Sequence, residues 1–268
     1  MSVQTLYTAA TGMESLQTKL DVIANNLANV NTTGYKKGRA NFEDLFYRTY
    51  EFPGAQDQQQ NYTAVGTQVG LGSRVQSVQT KFSQGAFQDT GSPLDVAIEG
   101  NGFFQVQDPF NGQSVYTRAG NFSINANNQL VVGSAQTGRL VVPNITLPTD
   151  TTAISITADG RVLVQQANQT QLQQQGQIEL ALFPNPEGLL KLGENLYQVT
   201  DASGAAVTSN PGQQGVGVLR QTFLEASNVE PVQELIDLIT TQRSFELNSQ
   251  AIQAGDQILQ LISNLRRS

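Results

Sequence analysis

The apolar residues near the start of the chain recur at the spacing of a helix seam. Six of them lie three or four residues apart, namely Met13, Leu16, Leu20, Ile23, Leu27 and Val30. This spacing places the side chains on one face of an α-helix that packs against another helix. We expect the helix to end at Thr32-Thr33-Gly34, where glycine provides a stop, with Lys36 and Lys37 just beyond it near the negative end of the helix dipole.

A narrower seam lies at the other end of the chain. Four apolar residues are spaced by sevens: Leu238, Phe245, Ile252 and Leu259. The alternate positions of this seam are assigned to Gln242, Ser249 and Asp256. We expect the helix to begin between residues 228 and 231, where Ser227 or Asn228 can cap it and Pro231 suits its first turn.

Two long seams at opposite ends of one chain most economically pair with each other. We therefore expect the N- and C-terminal helices to form a coiled coil. The alternative is that each helix packs separately on a compact domain. Chain ends usually fray unless they are held, and these ends carry the longest apolar seams in the chain. That contrast favours the paired arrangement.

The middle of the chain alternates apolar and polar residues in short segments separated by Gly-Asn, Asn-Gly or Asn-Asn pairs, the pattern of strands and tight turns. The predicted strands are 95–98, 103–106, 114–117, 129–132, 154–157, 162–165, 177–183 and 196–199. Asp159-Gly160 is a candidate hairpin turn. The fold class is therefore α+β, with terminal helices and an antiparallel, all-β central domain.

The layout predicts three nested domains. Residues 1–33 and 228–268 form a terminal helical domain, and residues 90–205 form a β-rich domain. An extended, β-rich linker of residues 34–89 and 206–227 joins them. Within the linker, a hairpin-like excursion is expected near residues 46–74, because a turn and a glutamine run from Pro53 to Gln60 separate two extended stretches.

The amino-acid composition excludes several kinds of catalytic and metal-binding site. The chain has 268 residues, a net charge of −7, and no Cys or His. Without these two residue types there is no disulfide, thiolate, histidine base or Cys/His zinc site, and no cofactor is indicated. The acidic balance and the lack of a basic run argue against nucleic-acid binding. No apolar stretch approaches the roughly 20 residues of a membrane span, and no cleavable signal is visible.

An enzyme or carbohydrate-binding β protein is the main alternative of another class. Five carboxylates lie in or beside the β region: Asp89, Asp95, Glu99, Asp108 and Asp159. Glycoside hydrolysis requires a pair of such groups. No pair is flanked by aromatic platform residues, however, and tryptophan is absent. A structural role therefore remains the better interpretation.

Several blocks of sequence resemble the bacterial flagellar rod and hook protein family. DVIANNLANVNTTGYK (21–36) is similar to the family's N-terminal signature, and LEASNVEPVQEL (224–235) with QRSFELNSQA (242–251) is similar to its C-terminal signature. DVAIEGNGFF (95–104) and YTRAGNF (116–122) resemble the start of its β domain. The blocks follow the family's order and span nearly the whole chain.

One segment of the linker distinguishes the rod subunits of this family from the hook subunits. FEDLFYRT (42–49), then Phe52-Pro53-Gly54-Ala55, then VGTQVGLGSRV (65–75) resembles an insertion typical of distal rod subunits and absent from hook subunits. The resemblance implies a structural subunit of the flagellar distal rod rather than an enzyme, with hook or proximal rod subunits as the alternative. If the linker bridges neighbouring subunits, it stiffens the polymer.

The family also implies a location and partners. Subunits are exported unfolded through the flagellar type III gate without a cleaved signal. They then polymerise helically into a rigid, hollow shaft in the periplasm that reaches the outer membrane. The implied partners are further copies of the chain, proximal rod, hook or junction proteins, and the surrounding P and L rings. Neither nucleic acid binding nor membrane insertion is implied.

Two groups of residues carry specific hypotheses. Phe42 and Phe46 match a short export motif of the family, and the alternative is that both are core aromatics. Asn25, Asn26 and Asn29 are unusual in a helix, because Asn is a poor helix former. We expect these amides to meet adjacent subunits, and the alternative is that Asn accumulates where a helix ends. The apolar seam residues of both helices are assigned to assembly as well.

Overall fold

The structure is a computed structural model that describes residues 3–54, 65–109, 112–167 and 171–265. Two long helices lie at the two ends of the described chain. Helix α1 spans Val3–Ala28 and helix α2 spans Pro231–Leu265. The described chain between them is built largely from short strands in antiparallel pairs. The predicted terminal helices and antiparallel central region are thus confirmed.

The strands are numbered in chain order, and those before residue 100 are β1 (Gly38–Asp44), β2 (Tyr47–Glu51), β3 (Thr67–Gly70), β4 (Ser73–Thr80), β5 (Phe87–Asp89) and β6 (Val96–Glu99). The next group is β7 (Phe103–Gln107), β8 (Ser114–Thr117), β9 (Phe122–Ile124), β10 (Leu130–Val132), β11 (Arg139–Val141), β12 (Thr151–Ile156) and β13 (Arg161–Gln166). The last are β14 (Gln173–Gln177), β15 (Leu180–Leu182), β16 (Leu190–Gly193), β17 (Leu196–Gln198), β18 (Val207–Ser209), β19 (Val218–Gln221) and β20 (Phe223–Glu225).

The chain divides into two compact units. The helical unit comprises residues 1–28, 38–79 and 230–268, and the β unit comprises residues 29–37 and 80–229. The segment that follows α1 and the segment that precedes α2 therefore both belong to the β unit.

The helical unit combines the two helices with a long hairpin. Strand β1 pairs with β4, and β2 pairs antiparallel with β3, with Tyr47 opposite Gly70. The base of the hairpin lies on α1, where Ser15 Oγ donates to Ser73 O at 3.3 Å. Gly72 has φ +122°, and a Cβ there would lie 2.1 Å from Thr11 Oγ1, so this close approach requires glycine.

The β unit is organised around β7. A nine-stranded sheet follows the order β16-β17-β8-β7-β11-β10-β9, with β15 and β18 branching from β7. The branch arises because β11 pairs with Val106 and Gln107, whereas β15 pairs with Phe103 and Phe104 on the other half of the strand. Strands β12, β13 and β14 form a second sheet, and β6–β19 and β5–β20 form two-stranded pairs.

Two apolar clusters fill the β unit. The larger contains fully buried Phe104, Leu180 and Val164 with their neighbours. The smaller is aromatic: Phe103 and Phe183 meet edge to face with ring centroids 5.5 Å apart, and Phe103 and Tyr197 do so at 5.8 Å. Edge-to-face pairs add about 0.5–1.5 kcal/mol each beyond the burial of their area.

Several predicted boundaries differ from the structure. Segment 177–183 was expected to be one strand, but β14 and β15 belong to different sheets. The chain crosses between them at Ile178, whose N–H donates to Gly160 O at 2.8 Å. The predicted turn at Asp159-Gly160 is present, with Gly160 at φ +85°. Strand 114–117 has the predicted bounds.

The helix ends also differ from expectation. Helix α1 stops at Ala28 instead of reaching residues 32–34, because Thr32 N–H donates to Asn29 O in a tight turn, at 3.2 Å. Helix α2 begins at Pro231, as expected, but neither Ser227 nor Asn228 caps it. Ser227 Oγ instead accepts from Val229 N–H at 3.3 Å. Among the described residues, neither helix is long and apolar enough to cross a membrane.

Candidate functional site: the helix pair, the hairpin and a buried charge cluster

The two helices run antiparallel and approach closely. Leu6 near the start of α1 meets Gly255 near the end of α2, whereas Asn26 at the end of α1 meets Glu234 at the start of α2. A Cβ on Gly255 would lie 2.5 Å from Leu6 Cδ2. Glycine therefore allows the leucine to pack directly against the backbone of α2.

The buried face of α2 follows a 3-4 spacing in a different phase from the one expected. The four predicted apolar positions are half-buried: Leu238, Phe245, Ile252 and Leu259. The alternate positions are Thr241 and Gly255, which are buried, whereas Gln242 and Asp256 are exposed. The assignment of Gln242 and Asp256 to the seam was wrong. From Leu238 the next position on the packed face is three residues further on, at Thr241, and not four residues further on, at Gln242.

The α1 seam lies on the packed side of its helix. Ile23 is buried, and Leu16, Leu20 and Leu27 are half-buried. Their predicted role in assembly remains a prediction, since these side chains already pack within one chain.

Asn26 is a structural residue of the helical unit. Its Oδ1 accepts from Gly38 N–H at 2.9 Å, its Nδ2 donates to Gly38 O at 2.9 Å, and Nδ2 also lies 3.2 Å from Glu234 Oε2. One amide thus joins α1, β1 and α2. We expected the Asn26 amide to reach an adjacent subunit. In the structure it makes these hydrogen bonds inside the chain, and a contact with a neighbouring subunit stays a prediction. Asn25 is exposed and Asn29 half-buried, and for these two the expectation stands as a prediction.

Helix α2 carries apolar side chains on its opposite face. Val232, Ile236 and Ile239 lie three or four residues apart and are exposed by 71%, 49% and 49%. Each lies two residues from a buried residue, Glu234 or Thr241. Two residues correspond to a rotation of about 200° in a helix of 3.6 residues per turn, so these side chains point away from the packed face. This apolar stripe is therefore not covered by the contacts that α2 makes within the described chain.

The long hairpin also exposes aromatic residues. Phe46 is 88% exposed and Phe42 is 42% exposed, so the interpretation of both as core aromatics is wrong, while the export role remains a prediction. Phe52 is exposed and Gly54 has φ +82°, so Phe52-Pro53-Gly54 forms a turn after β2. Ala55, the fourth residue assigned to the rod-type linker, lies outside the described residues.

A buried charge cluster lies inside the β unit. Glu225 Oε1 accepts from Lys36 Nζ at 2.6 Å and from Gly85 N–H at 2.9 Å, and Glu225 Oε2 lies 3.2 Å from Arg118 Nε. All three charged side chains are almost fully buried. Because two cations share one carboxylate, backbone carbonyl oxygens accept the remaining hydrogen bonds of both cations. Lys36 donates to Ser83 O, and Arg118 donates to the carbonyls of Gly100 and Gly102.

Burial controls the ionisation of this cluster. Desolvation and the nearby Arg118 guanidinium lower the pKa of Lys36, and Glu225 partly opposes them. Burial also lowers the pKa of Arg118, against the attraction of Glu225. The carboxylate of Glu225 is therefore the group that makes two buried cations tolerable.

Asn228 ties three chain segments together beside this cluster. Its Oδ1 accepts from Lys37 N–H at 2.8 Å, and its Nδ2 donates to Lys81 O at 2.8 Å and to Ser83 O at 3.2 Å. Lys81 N–H in turn donates to Lys37 O at 2.9 Å. The segment after α1, the segment after β4 and the segment before α2 are thus held side by side.

Analysis of the sequence missed both of these features. Lys36 was assigned to the helix dipole and Asn228 to a helix cap, because each lies near a helix end. The sequence did contain one clue to the buried charge cluster. Each of the blocks that resemble the family, 21–36, 116–122 and 224–235, contains a charged residue of the cluster. Local periodicity cannot pair residues that lie 189 positions apart.

Three of the five carboxylates of the alternative, enzymatic interpretation make local structural contacts. Asp95 Oδ2 accepts from Thr90 Oγ1 at 2.6 Å, and Asp89 Oδ1 accepts from Gly91 N–H at 3.1 Å. Asp159 lies beside Arg161, with 2.7 Å between carboxylate and guanidinium, and Thr157 also hydrogen-bonds it. Among the described residues, no group of three or more Asp or Glu side chains is placed to hold a metal ion.

Three family descriptions match the chain. Residues 6–36 match the description "Flagella basal body rod protein", residues 97–164 match "Flagellar hook protein FlgE/F/G D1 domain", and residues 220–265 match "Flagellar basal body rod FlgEFG protein C-terminal". The chain belongs to the flagellar hook and basal-body rod family. This is a family of structural proteins, and the resemblance of the sequence blocks to it is confirmed.

Three relatives that match along nearly the whole chain share the description "Flagellar basal-body rod protein FlgG". The one from Caulobacter vibrioides is 46% identical over 265 residues, which cover 98% of this chain and all of the relative. The one from Buchnera aphidicola subsp. Baizongia pistaciae is 44% identical over 263 residues, with the same coverage. The one from Bacillus subtilis is 42% identical over 270 residues and covers 99% of this chain.

The buried charge cluster takes one residue from each matched family segment. Lys36 lies in the first, Arg118 in the second and Glu225 in the third. The three segments that define the flagellar family by sequence therefore meet at one ionic contact.

Replacing Asn26 with Ala should destabilise the helical unit by about 2–3 kcal/mol. The substitution leaves the N–H and C=O of Gly38 without their side-chain partner and removes one contact to Glu234. The matched control is Asn25→Ala, at the adjacent exposed position, which should change stability by less than about 1 kcal/mol. Amide hydrogen exchange of α1 measures both effects. Equal protection in the two variants would contradict the structural role of Asn26.

Replacing Glu225 with Gln should destabilise the β unit by about 3–5 kcal/mol, since it leaves two buried cations without an anion. Lys36→Met should cost less, because a neutral Arg118–Glu225 pair remains and Gly85 still donates to the carboxylate. Urea unfolding, followed by near-ultraviolet circular dichroism of the buried tyrosines, measures both variants. A larger loss in Lys36→Met than in Glu225→Gln would contradict this account of the cluster.

Proposed function

We propose that the chain is a structural subunit of the flagellar distal rod. In this proposal it polymerises helically into a rigid, hollow shaft that transmits torque from motor to hook and conducts exported subunits. It has no catalytic role. The observation that carries the proposal is the similarity to the FlgG basal-body rod proteins along nearly the whole chain. Proximal rod and hook subunits, the neighbouring branches of the family, are the alternative.

The surface of α2 supports polymerisation. The exposed apolar stripe of Val232, Ile236 and Ile239 is the kind of surface that drives association of subunits. Contacts between unlike surfaces of identical subunits generate an open helical filament when they do not close into a ring. In our proposal the two paired helices, arranged as a coiled coil, build the inner tube, and the stripe on α2 contacts a neighbouring subunit.

The proposed surroundings follow from the family. The rod lies in the periplasm and reaches the outer membrane, after export through the type III gate without a cleaved signal peptide. Phe42 and Phe46 are the residues proposed to be read by the gate. Besides further copies of the chain, the proposed partners are the adjoining proximal rod, hook or junction proteins and the P and L rings.

The long hairpin is proposed to set the stiffness of the polymer. Its strands β2 and β3 extend the β1–β4 pair and carry exposed side chains such as Tyr47 and Tyr50. A two-stranded element held by backbone hydrogen bonds is a stiffer bridge to a neighbouring subunit than a single extended segment would be.

Charging the α2 stripe should abolish filaments. The double variant Ile236→Glu/Ile239→Glu leaves the packed face of α2 intact but introduces carboxylates into a surface that the polymer would bury. Sedimentation and negative-stain electron microscopy of purified full-length protein measure assembly, and circular dichroism confirms that the helices persist. The matched control, Gln233→Glu/Gln242→Glu, changes two exposed residues of the same helix and should still assemble. Normal filaments from the Ile236/Ile239 variant would refute the proposed contact.

Shortening the hairpin should make the polymer more flexible. Leu71 N–H donates to Phe46 O at 3.1 Å, and a two-residue turn is closed by a backbone hydrogen bond of the same kind. Replacing residues 47–70 with Asn-Gly therefore removes the hairpin extension while preserving its base. Curved filaments with a persistence length reduced several-fold are expected by electron microscopy. A straight polymer of unchanged stiffness would contradict the role of the hairpin, without contradicting polymerisation itself.

A further inference from the structure

A small aromatic pocket opens on the surface of the β unit. Its cavity has a volume of about 270 Å³. The floor is formed by buried side chains of Phe103, Phe183 and Arg118, and the rim by Asn101 and Pro184. Small-molecule sites usually measure roughly 300–1,000 Å³, so this pocket suits one large side chain better than a cofactor.

The floor of the pocket is rigid. Phe103 packs edge to face against Phe183, Tyr197 and Phe82. The Arg118 guanidinium lies 5.8 Å from the centre of the Phe103 ring and is held by the carbonyls of Gly100 and Gly102. A further aromatic ring that entered the pocket would meet ring edges and faces already fixed in position.

The same chain presents an exposed aromatic side chain on a backbone that is held in place. Phe46 is 88% exposed, the highest value among the large apolar side chains of the described residues. Its backbone is held on both sides: Phe46 O accepts from Leu71 N–H at 3.1 Å, and Leu45 N–H donates to Gly72 O at 2.9 Å. The ring therefore projects from an ordered hairpin, and little conformational freedom would be lost when it is buried.

We propose that Phe46 of one subunit inserts into the pocket formed by Phe103, Phe183 and Arg118 of a second copy of this chain. The inference rests on the proposed function, since a polymer is what brings copies together. An exposed phenylalanine on a preorganised backbone and an aromatic pocket of one-side-chain size are complementary in chemistry and in dimensions. Such a buried aromatic anchor is the usual centre of a protein–protein contact.

Disulfide trapping tests the contact directly, because the chain has no cysteine of its own. When a phenylalanine ring enters a pocket, its Cβ lies at the mouth, so a cysteine there can reach a cysteine on the rim. We would prepare full-length chains with one cysteine each, Phe46→Cys and Asn101→Cys, and mix them under assembly conditions. A disulfide between the two variants can form only between copies.

The matched control replaces Asn101→Cys with Leu172→Cys. Leu172 is also exposed in the β unit but does not line the pocket. The Phe46–Asn101 pair should cross-link at least about tenfold faster than the Phe46–Leu172 pair. Equal rates would overturn the proposal. Faster cross-linking of Asn101→Cys to Phe52→Cys would also overturn it, by assigning the pocket to another hairpin residue.

A second measurement separates this contact from polymerisation in general. Phe46→Ala should raise the critical concentration for assembly about tenfold, whereas Phe42→Ala, in the same hairpin, should change it less than threefold. Wild-type filaments with no effect of Phe46→Ala would overturn the contact and leave the proposed function intact. If the wild-type chain forms no filaments at all, both the proposed function and the contact are contradicted.

Discussion

The carboxylate of Glu225 is the group on which the arrangement of the β unit depends. It is buried between two cations, Lys36 and Arg118, that come from distant parts of the chain. Removing such charges from water costs several kcal/mol for each ion, so the cluster is stable only when every partner is present. The carbonyls of Ser83, Gly100 and Gly102 supply the remaining negative potential. The cluster therefore specifies one arrangement of these segments more than it adds stability.

This requirement has a consequence for how the chain folds. Lys36 and Glu225 are 189 residues apart, and Arg118 lies between them. Their contact can form only after the segment between them has become compact, because closing so long a loop is otherwise entropically unfavourable. Asn228 then fixes the neighbouring backbone of Lys37 and Lys81. The segments that adjoin both long helices are thus ordered within the β unit.

The sequence predicted what depends on local spacing. Five of the six predicted apolar positions lie within α1, and alternation located strands such as 114–117 with the right bounds. The phase of the α2 seam was wrong, because Thr241 and Gly255 carry little hydrophobic signal although both are buried. The buried cluster could not be predicted either, since a lysine next to a helix end usually remains solvated. The close approach of the two helices and the pairing of buried charges depend on tertiary structure, and the spacing of residues along the chain does not predict them.

Helix α2 carries apolar residues on its exposed face as well as on its packed face. Small and polar residues, Gly255, Thr241 and Asn26, lie in or beside the contact between α1 and α2, whereas Val232 and Ile236 are exposed. A helix pair that had only its own stability to satisfy would place all of its larger apolar residues inside. Small residues allow close backbone approach, and the Asn26 amide fixes the position of α1 relative to β1 and α2. The apolar area thereby kept on the surface of α2 is available to other subunits, which is the distribution that a polymer-forming helix pair needs.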